Sequence, residues 1–139
     1  MAMQPVDVVR KWFEEVWNNG RTDLIPVHFH KEGIAHGLVG EPSTRGPEEF
    51  KAFYDSIKAG FDIRFTIEEV FGDASRAVIR WTAMMTHKGD FMSAKATGRT
   101  VKVTGISIAH VENEQIVHSW NDWDRLTLMT EIGVVAAVK

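Results

Sequence analysis

The sequence predicts an α+β protein whose helices cover one face of a curved, mixed or antiparallel sheet, and three observations carry that prediction. Val6, Val9, Trp12, Phe13, Val16 and Trp17 recur at the three- and four-residue spacing of an amphipathic helix. Residues 100–111 carry β-branched side chains at most positions, Glu112-Asn113-Glu114 is polar and turn-like, and residues 115–124 resume the alternation, which together read as a long hairpin. Gly72-Asp73 joins two more alternating runs, 62–71 and 74–86, into another hairpin. Helices early and an antiparallel meander late put the helices on one side of the sheet, and such a sheet can enclose a cone-shaped cavity.

A chain of 139 residues makes one domain, 1–139, and buries about two-thirds of its unfolded surface. Its hydrophobic fraction of 44%, charged fraction of 25% and formal charge of -3 are those of an ordinary soluble globular protein. A net acidic chain without a Lys/Arg block argues against a nucleic-acid partner, and no apolar run approaches the roughly 18 residues of a membrane span. Residues 1–4 lead into an amphipathic pattern and not into an apolar signal core, so a cytoplasmic location is expected. With no cysteine, disulfides, thiolate nucleophiles and thiolate metal sites are excluded together.

Taken in order, Pro5 suits a first helical position and Asn18-Asn19-Gly20 stops the first helix. Its aromatic stripe is read first as burial against the sheet and second as the wall of a ligand cavity. Thr22-Asp23-Leu24-Ile25-Pro26 offers a cap and a turn of helix. His28-Phe29-His30 sets two imidazoles on one side of a strand, a spacing that can hold zinc, but without a carboxylate partner the plainer reading is solvent-exposed loop histidines. Ile34-Ala35-His36-Gly37-Leu38-Val39 reads as a short strand that carries His36 into the interior. After a loop over 41–46 containing Pro42, Gly46-Pro47-Glu48-Glu49 starts another helix, with Phe50, Phe53, Tyr54 and Ile57 as its apolar face. Tyr54, the one tyrosine, is assigned to the core margin. Residues 92–97 form a small-residue loop able to cap a pocket mouth, and Leu126, Leu128, Met129 and Ile132 give a last helix ending at Gly133.

The candidate site lies at the end of the long hairpin. His118, Trp120, Asp122 and Asp124 share one parity of its second arm and so one face of the strand. A three-residue loop, 112–114, would pair His110 with Ile116 and align Ile106, Ile108 and His110 with that face; a two-residue loop would put His110 on the other. The three-residue loop is the expectation, with Glu114 in the left-handed conformation. Arg80, amid Val78, Ile79, Trp81 and Ala83, needs a partner: Asp122, Asp124 or a substrate carboxylate, unless it is exposed or paired structurally.

These residues resemble the SnoaL-like polyketide cyclases of the nuclear transport factor 2-like (ketosteroid-isomerase-like) superfamily. The likeness rests on Arg45-Gly46-Pro47-Glu48-Glu49-Phe50, Arg80-Trp81-Thr82, Thr86-His87-Lys88-Gly89, Ala96-Thr97-Gly98-Arg99, Val103-Thr104-Gly105-Ile106, and Trp120 and Asp124 followed by Leu126. The chain departs from the family pattern at Asn113-Glu114-Gln115, usually Asp-Gly-Lys, at Gly60-Phe61-Asp62, usually with a proline, and at Glu131-Ile132-Gly133, usually Gln-Leu-Gly. The resemblance implies a cystatin-like α+β barrel, a homodimer or higher oligomer built on the sheet's outer face, and a cavity without metal or organic cofactor. It further implies ring closure by intramolecular aldol condensation of a small hydrophobic carbonyl compound, with the aspartate of Trp-x-x-x-Asp, here Asp124, as general acid/base.

That chemistry needs a base to take a proton flanked by carbonyls and a donor to hold the enolate oxygen. Burial and the neighbouring Asp122 would raise the pKa of Asp124 toward that task, and Arg80 would oppose them. His110 and His36 are the candidate donors or proton relays, and His118, Trp120, Asp122, Arg80 and Met84 the candidate substrate contacts. Asp124 also stands where an aspartate caps a helix, before Arg125-Leu126-Thr127-Leu128. The competing functions are a non-catalytic small-molecule binding domain of the same fold and a ketosteroid-isomerase-like isomerase or a hydrolase.

Overall fold

The computed structural model describes residues 3–39 and 43–136. Helix α1 (Pro5–Lys11) starts on Pro5 and runs on into a π-helical segment (Trp12–Asn18). A 3₁₀ turn (Thr22–Leu24) leads to α2 (Ile25–His28), then to β1 (Phe29–His36) and the short β2 (Thr44–Arg45). Residues 40–42, which include the first two residues of the expected 41–46 loop and its Pro42, lie outside the described residues. Helix α3 (Gly46–Gly60) precedes β3 (Phe61–Gly72), β4 (Arg76–His87), β5 (Thr100–Glu112) and β6 (Gln115–Trp123), and α4 (Arg125–Glu131) closes the order. The tail expected after Gly133 is described only to residue 136.

All six strands form one curved sheet in the order β2-β1-β6-β5-β4-β3. The strands β3 to β6 make an antiparallel meander, whereas β1 runs parallel to β6, so the sheet is mixed. One face of the sheet meets α1 and α3: Ala77, Ile79, Trp81, Ala83 and Met85 of β4 are buried there, as are Val101, Val103 and Ala109 of β5. Aromatic side chains fill the space between layers, with Trp12 against Phe50 at 5.0 Å, Trp17 against Tyr54 at 4.7 Å and Phe65 against Trp81 at 5.0 Å between ring centroids. Such pairs add about 0.5–1.5 kcal/mol each to the burial of their area. Tyr54 lies deeper than the core margin assigned to it, and its hydroxyl donates to the Val16 carbonyl at 2.9 Å, tying α3 to the first helix. Among the described residues no helix is long and apolar enough to cross a membrane.

Two details of the β5–β6 hairpin decide which side chains face the helices. Glu112 pairs with Gln115, so the loop is the two residues Asn113-Glu114, both with positive φ (51° and 63°), as in a type I′ turn. This corrects the expected three-residue loop, although Glu114 does take the left-handed conformation. The register then slips between His110 and Val111: Val111 faces Ile116, but His110 faces His118, leaving Val117 as a bulge. His110 thus shares a face with His118, as expected, by a different route. Because the bulge flips the parity, Ile116 points inward while His118, Trp120 and Asp122 point to the outer face.

Candidate functional site

Between the sheet and the helices lies a cavity of about 90 Å³. It is bounded by Val9, Trp12, Phe13 and Trp17 of the first helix, by Phe50, Phe53 and Ile57 of α3, and by inward side chains of β3 to β6. The aromatic stripe of the first helix therefore serves both purposes weighed for it, burial and cavity wall. Gly105 makes the packing of Trp81 possible: a Cβ at position 105 would sit 2.2 Å from Trp81 Cζ2, so the indole lies across a strand position where only hydrogen fits.

Three polar side chains interrupt this wall, and their hydrogen bonds run in one direction. The Trp81 Nε1–H, which can only donate, gives to Ser107 Oγ at 3.1 Å, and Ser107 donates to Asn121 Oδ1 at 2.7 Å. Asn121 Nδ2 donates to the His36 carbonyl at 2.9 Å, which fixes the amide orientation because that carbonyl can only accept, and it approaches Ser119 Oγ at 3.4 Å. Trp123 Nε1–H donates to the Leu38 carbonyl at 2.8 Å, anchoring the end of β6. Among the described lining residues there is no carboxylate, imidazole, amine, guanidinium or phenol.

The expected site residues lie elsewhere. Asp124 stands at the surface as the N-cap of α4: its Oδ1 accepts from the Thr127 amide at 3.0 Å and its Oδ2 from the Thr127 hydroxyl at 2.5 Å. The Thr127 hydroxyl first, and its amide second, hold the carboxyl below the usual carboxylate range, the opposite of what a base working on carbon needs. Asp122, Trp120 (38% exposed) and Met84 (43% exposed) are on the outer face and line no wall of the cavity. Arg80 is exposed and pairs with Glu69 on the neighbouring strand, Nε to Oε1 2.8 Å, and neither with Asp122 nor with Asp124. Alternation identifies two faces of a strand without saying which one the helices cover, and Met84, Trp120 and Asp122 fall on the uncovered one.

The histidines do come together, on the outer face. His36 does not enter the interior; its Nε2 lies 2.8 Å from His118 Nε2, and its Nδ1 lies 2.6 Å from Ser43 Oγ. His118 stacks on Trp120 at 4.1 Å between centroids, and His110 meets the edge of the same indole at 5.0 Å. Desolvation, then the nearby His36 and His110, push His118 below the ordinary imidazole pKa. His28 is buried, not a solvent-exposed loop residue, and its Nδ1 bonds the Glu114 carbonyl at 2.9 Å, while His30 Nδ1 accepts from the Glu32 amide. Among the described residues no three His, Asp or Glu side chains converge as metal ligands would.

Ser107, Ser119 and Asn121 of the cavity wall are not among the expected site residues, although the sequence holds a signal for Ser107. Gly105, Ser107 and Ala109 alternate with Ile106, Ile108 and His110, and Ala77 and Ala83 alternate with Val78 and Met84. Small side chains at every second position mark the face that must admit large rings such as Trp81, and Lys102, Thr104 and Arg80 on the other parity mark the face turned to water.

The comparisons with known proteins agree with this architecture. The chain is 28% identical over 132 residues to aklanonic acid methyl ester cyclase DnrD of Streptomyces peucetius, covering 92% of this chain and 90% of the relative. Its fold matches IdmH of Streptomyces antibioticus with a TM-score of 0.82 at 24% identity, covering 94% of this chain and 99% of that one. It matches a SnoaL-like polyketide cyclase of Agrobacterium tumefaciens with a TM-score of 0.75 at 19% identity, covering 94% and 99%. With the model of the SnoaL-like polyketide cyclases matching residues 7–132, the chain belongs to that family.

Proposed function

We propose that this protein binds a flat, largely apolar carbonyl compound in the cavity and promotes its ring closure, an intramolecular aldol condensation, by folding the substrate rather than by supplying a base from the wall. The observation that carries this reading is the lining itself: among the described residues it consists of apolar and aromatic side chains, two serines and one asparagine, with no titratable group. A carbon flanked by two carbonyls enolises readily in water, so holding the two reacting carbons together in a dry space supplies the missing part of the barrier. Positioning of this kind is worth up to about 7–11 kcal/mol in well-aligned systems. The cavity of about 90 Å³ is smaller than the roughly 150 Å³ that takes up benzene in an engineered apolar site, so entry of a substrate moves lining rings.

Two further readings stand beside it. Membership in a cyclase family favours acid/base chemistry with Asp124 as the base; with His110 and His36, the donors expected from the sequence, it requires Asp124 to leave Thr127 and the reaction to run on the outer face, where both histidines lie. The uncharged lining also suits a non-catalytic binding domain. The test uses a β-keto ester with a tethered ketone, following ring closure by mass and exchange of the α-protons by NMR. Folding of the substrate predicts closure faster than in buffer, α-proton exchange no faster than in buffer, and no loss in Asp124→Asn. Accelerated exchange that vanishes in Asp124→Asn would establish the base mechanism instead, and binding without closure would establish the carrier.

In this proposal the protein works in the cytoplasm without a nucleic-acid or membrane partner, and as a homodimer or higher oligomer. The outer face, where Ile106, Ile108, Met84 and Trp120 are exposed, is the surface proposed for a second copy. Light scattering on the purified protein would show a monomer if that proposal is wrong.

A further inference from the structure

We infer that the Ser119 hydroxyl is the group that recognises the ligand, donating its hydrogen to a carbonyl oxygen inside the cavity. The inference rests on the proposed cavity binding and adds to it the atom that reads the ligand. Following the hydrogens along the polar chain leaves one without an acceptor. Trp81 gives its hydrogen to Ser107, and Ser107, having accepted it, gives its own to Asn121 Oδ1. Asn121 spends one amide hydrogen on the His36 carbonyl and aims the other at Ser119 Oγ. Ser119 therefore accepts, and its own O–H has no acceptor among the described residues.

Ser119 is 9% exposed and lines the cavity, so that hydrogen has no bulk water in easy reach. A buried hydroxyl that has accepted one bond and can still donate is complementary to an acceptor-only group, and the surrounding apolar wall selects an uncharged one. A ketone or ester carbonyl on a flat ring meets both conditions. A hydrocarbon of the same shape leaves the donor unpaired, and a carboxylate meets no cation among the described lining residues to offset its desolvation.

The experiment compares acetophenone with α-methylstyrene, which has the same shape with a methylidene in place of the carbonyl oxygen. Both are titrated by amide NMR into wild type, Ser119→Ala and Ser119→Cys. Cysteine keeps a side chain in place of the hydroxyl but is only a weak donor. The expected result is that acetophenone binding weakens about tenfold in Ser119→Ala and nearly as much in Ser119→Cys, while α-methylstyrene changes by less than about twofold. Equal changes for the two ligands in both variants would overturn the role of Ser119 and leave cavity binding intact. If neither ligand shifts the wild-type resonances of cavity residues at millimolar concentration, cavity binding itself fails, and the inference with it.

Discussion

Replacing Asp124 separates the capping role seen in the structure from the catalytic role that the family resemblance implies. In Asp124→Ala the Thr127 amide and hydroxyl both lose their partner at the start of a helix only seven residues long. Loss of such a cap costs about 1 kcal/mol, within a range of roughly 0.5–2. With an unfolding entropy near 2.1 cal/mol/K per residue, that lowers the melting temperature of a chain this size by about 3 °C. Asp124→Ser and Asp124→Asn keep an oxygen that can accept from the Thr127 amide, and both should melt within about 1 °C of wild type at neutral pH. The carboxyl is held below its ordinary pKa in the fold, so its charge stabilises above the unfolded value near 3.9 and that contribution is lost as pH falls through the folded pKa. Asp124→Asn should therefore flatten the loss of stability below about pH 4. The measurements are circular-dichroism melts across pH together with the ring-closure assay. If Asp124→Ser and Asp124→Asn melt like wild type and bind ligand normally yet close the ring a hundred or more times more slowly, the carboxylate is catalytic and the capping account is insufficient.

Three other outcomes are expected. Gly105→Ala forces a methyl into the Trp81 indole and should destabilise the protein by about 1–3 kcal/mol, read from urea melts; an unchanged midpoint would show that Trp81 can swing aside. Glu114→Gly relieves a non-glycine residue at φ 63° in the β5–β6 turn, keeps the backbone carbonyl that His28 bonds, and should stabilise by about 0.5–1 kcal/mol, with a higher urea midpoint as the readout. His118 has a folded pKa below the unfolded value near 6.5, so its contribution is fully present above pH 6.5 and is lost as pH falls through that value toward the folded pKa. A variant such as His118→Gln should weaken the pH dependence of stability on the acid side of 6.5, and a dependence identical to wild type would refute the assignment.

Much of the element order was legible because the signals were local. The Val6 to Trp17 stripe, Asn18-Asn19-Gly20 as a stop, Pro47 with Glu48 and Glu49 opening α3, and the alternating runs of β3 to β6 all depend on neighbours within a turn or a strand. The turn at Asn113-Glu114 was harder to read, since neither residue is the glycine usual at such positions and the bulge at Val117 leaves no mark in composition. The cavity lining was hard to read for a related reason: His118, Trp120, Asp122 and Asp124 draw attention as chemistry-bearing residues, while the cavity's polar groups are two serines and an asparagine that look unremarkable in a strand.

By itself the sequence determined that helices precede a meander, that Asp124 precedes a helix it can cap, and that each strand has an apolar and a mixed face. Only the tertiary structure decided which face the helices cover, and with it whether the histidines and carboxylates meet a ligand or meet water. The reason is physical: alternation is a property of one strand, but inside and outside are set by which face packs against the helices, where Trp81 lies across Gly105 and meets Phe13 of the π-helical segment. One bulged residue in β6 is then enough to turn Ile116 inward and the next imidazole outward.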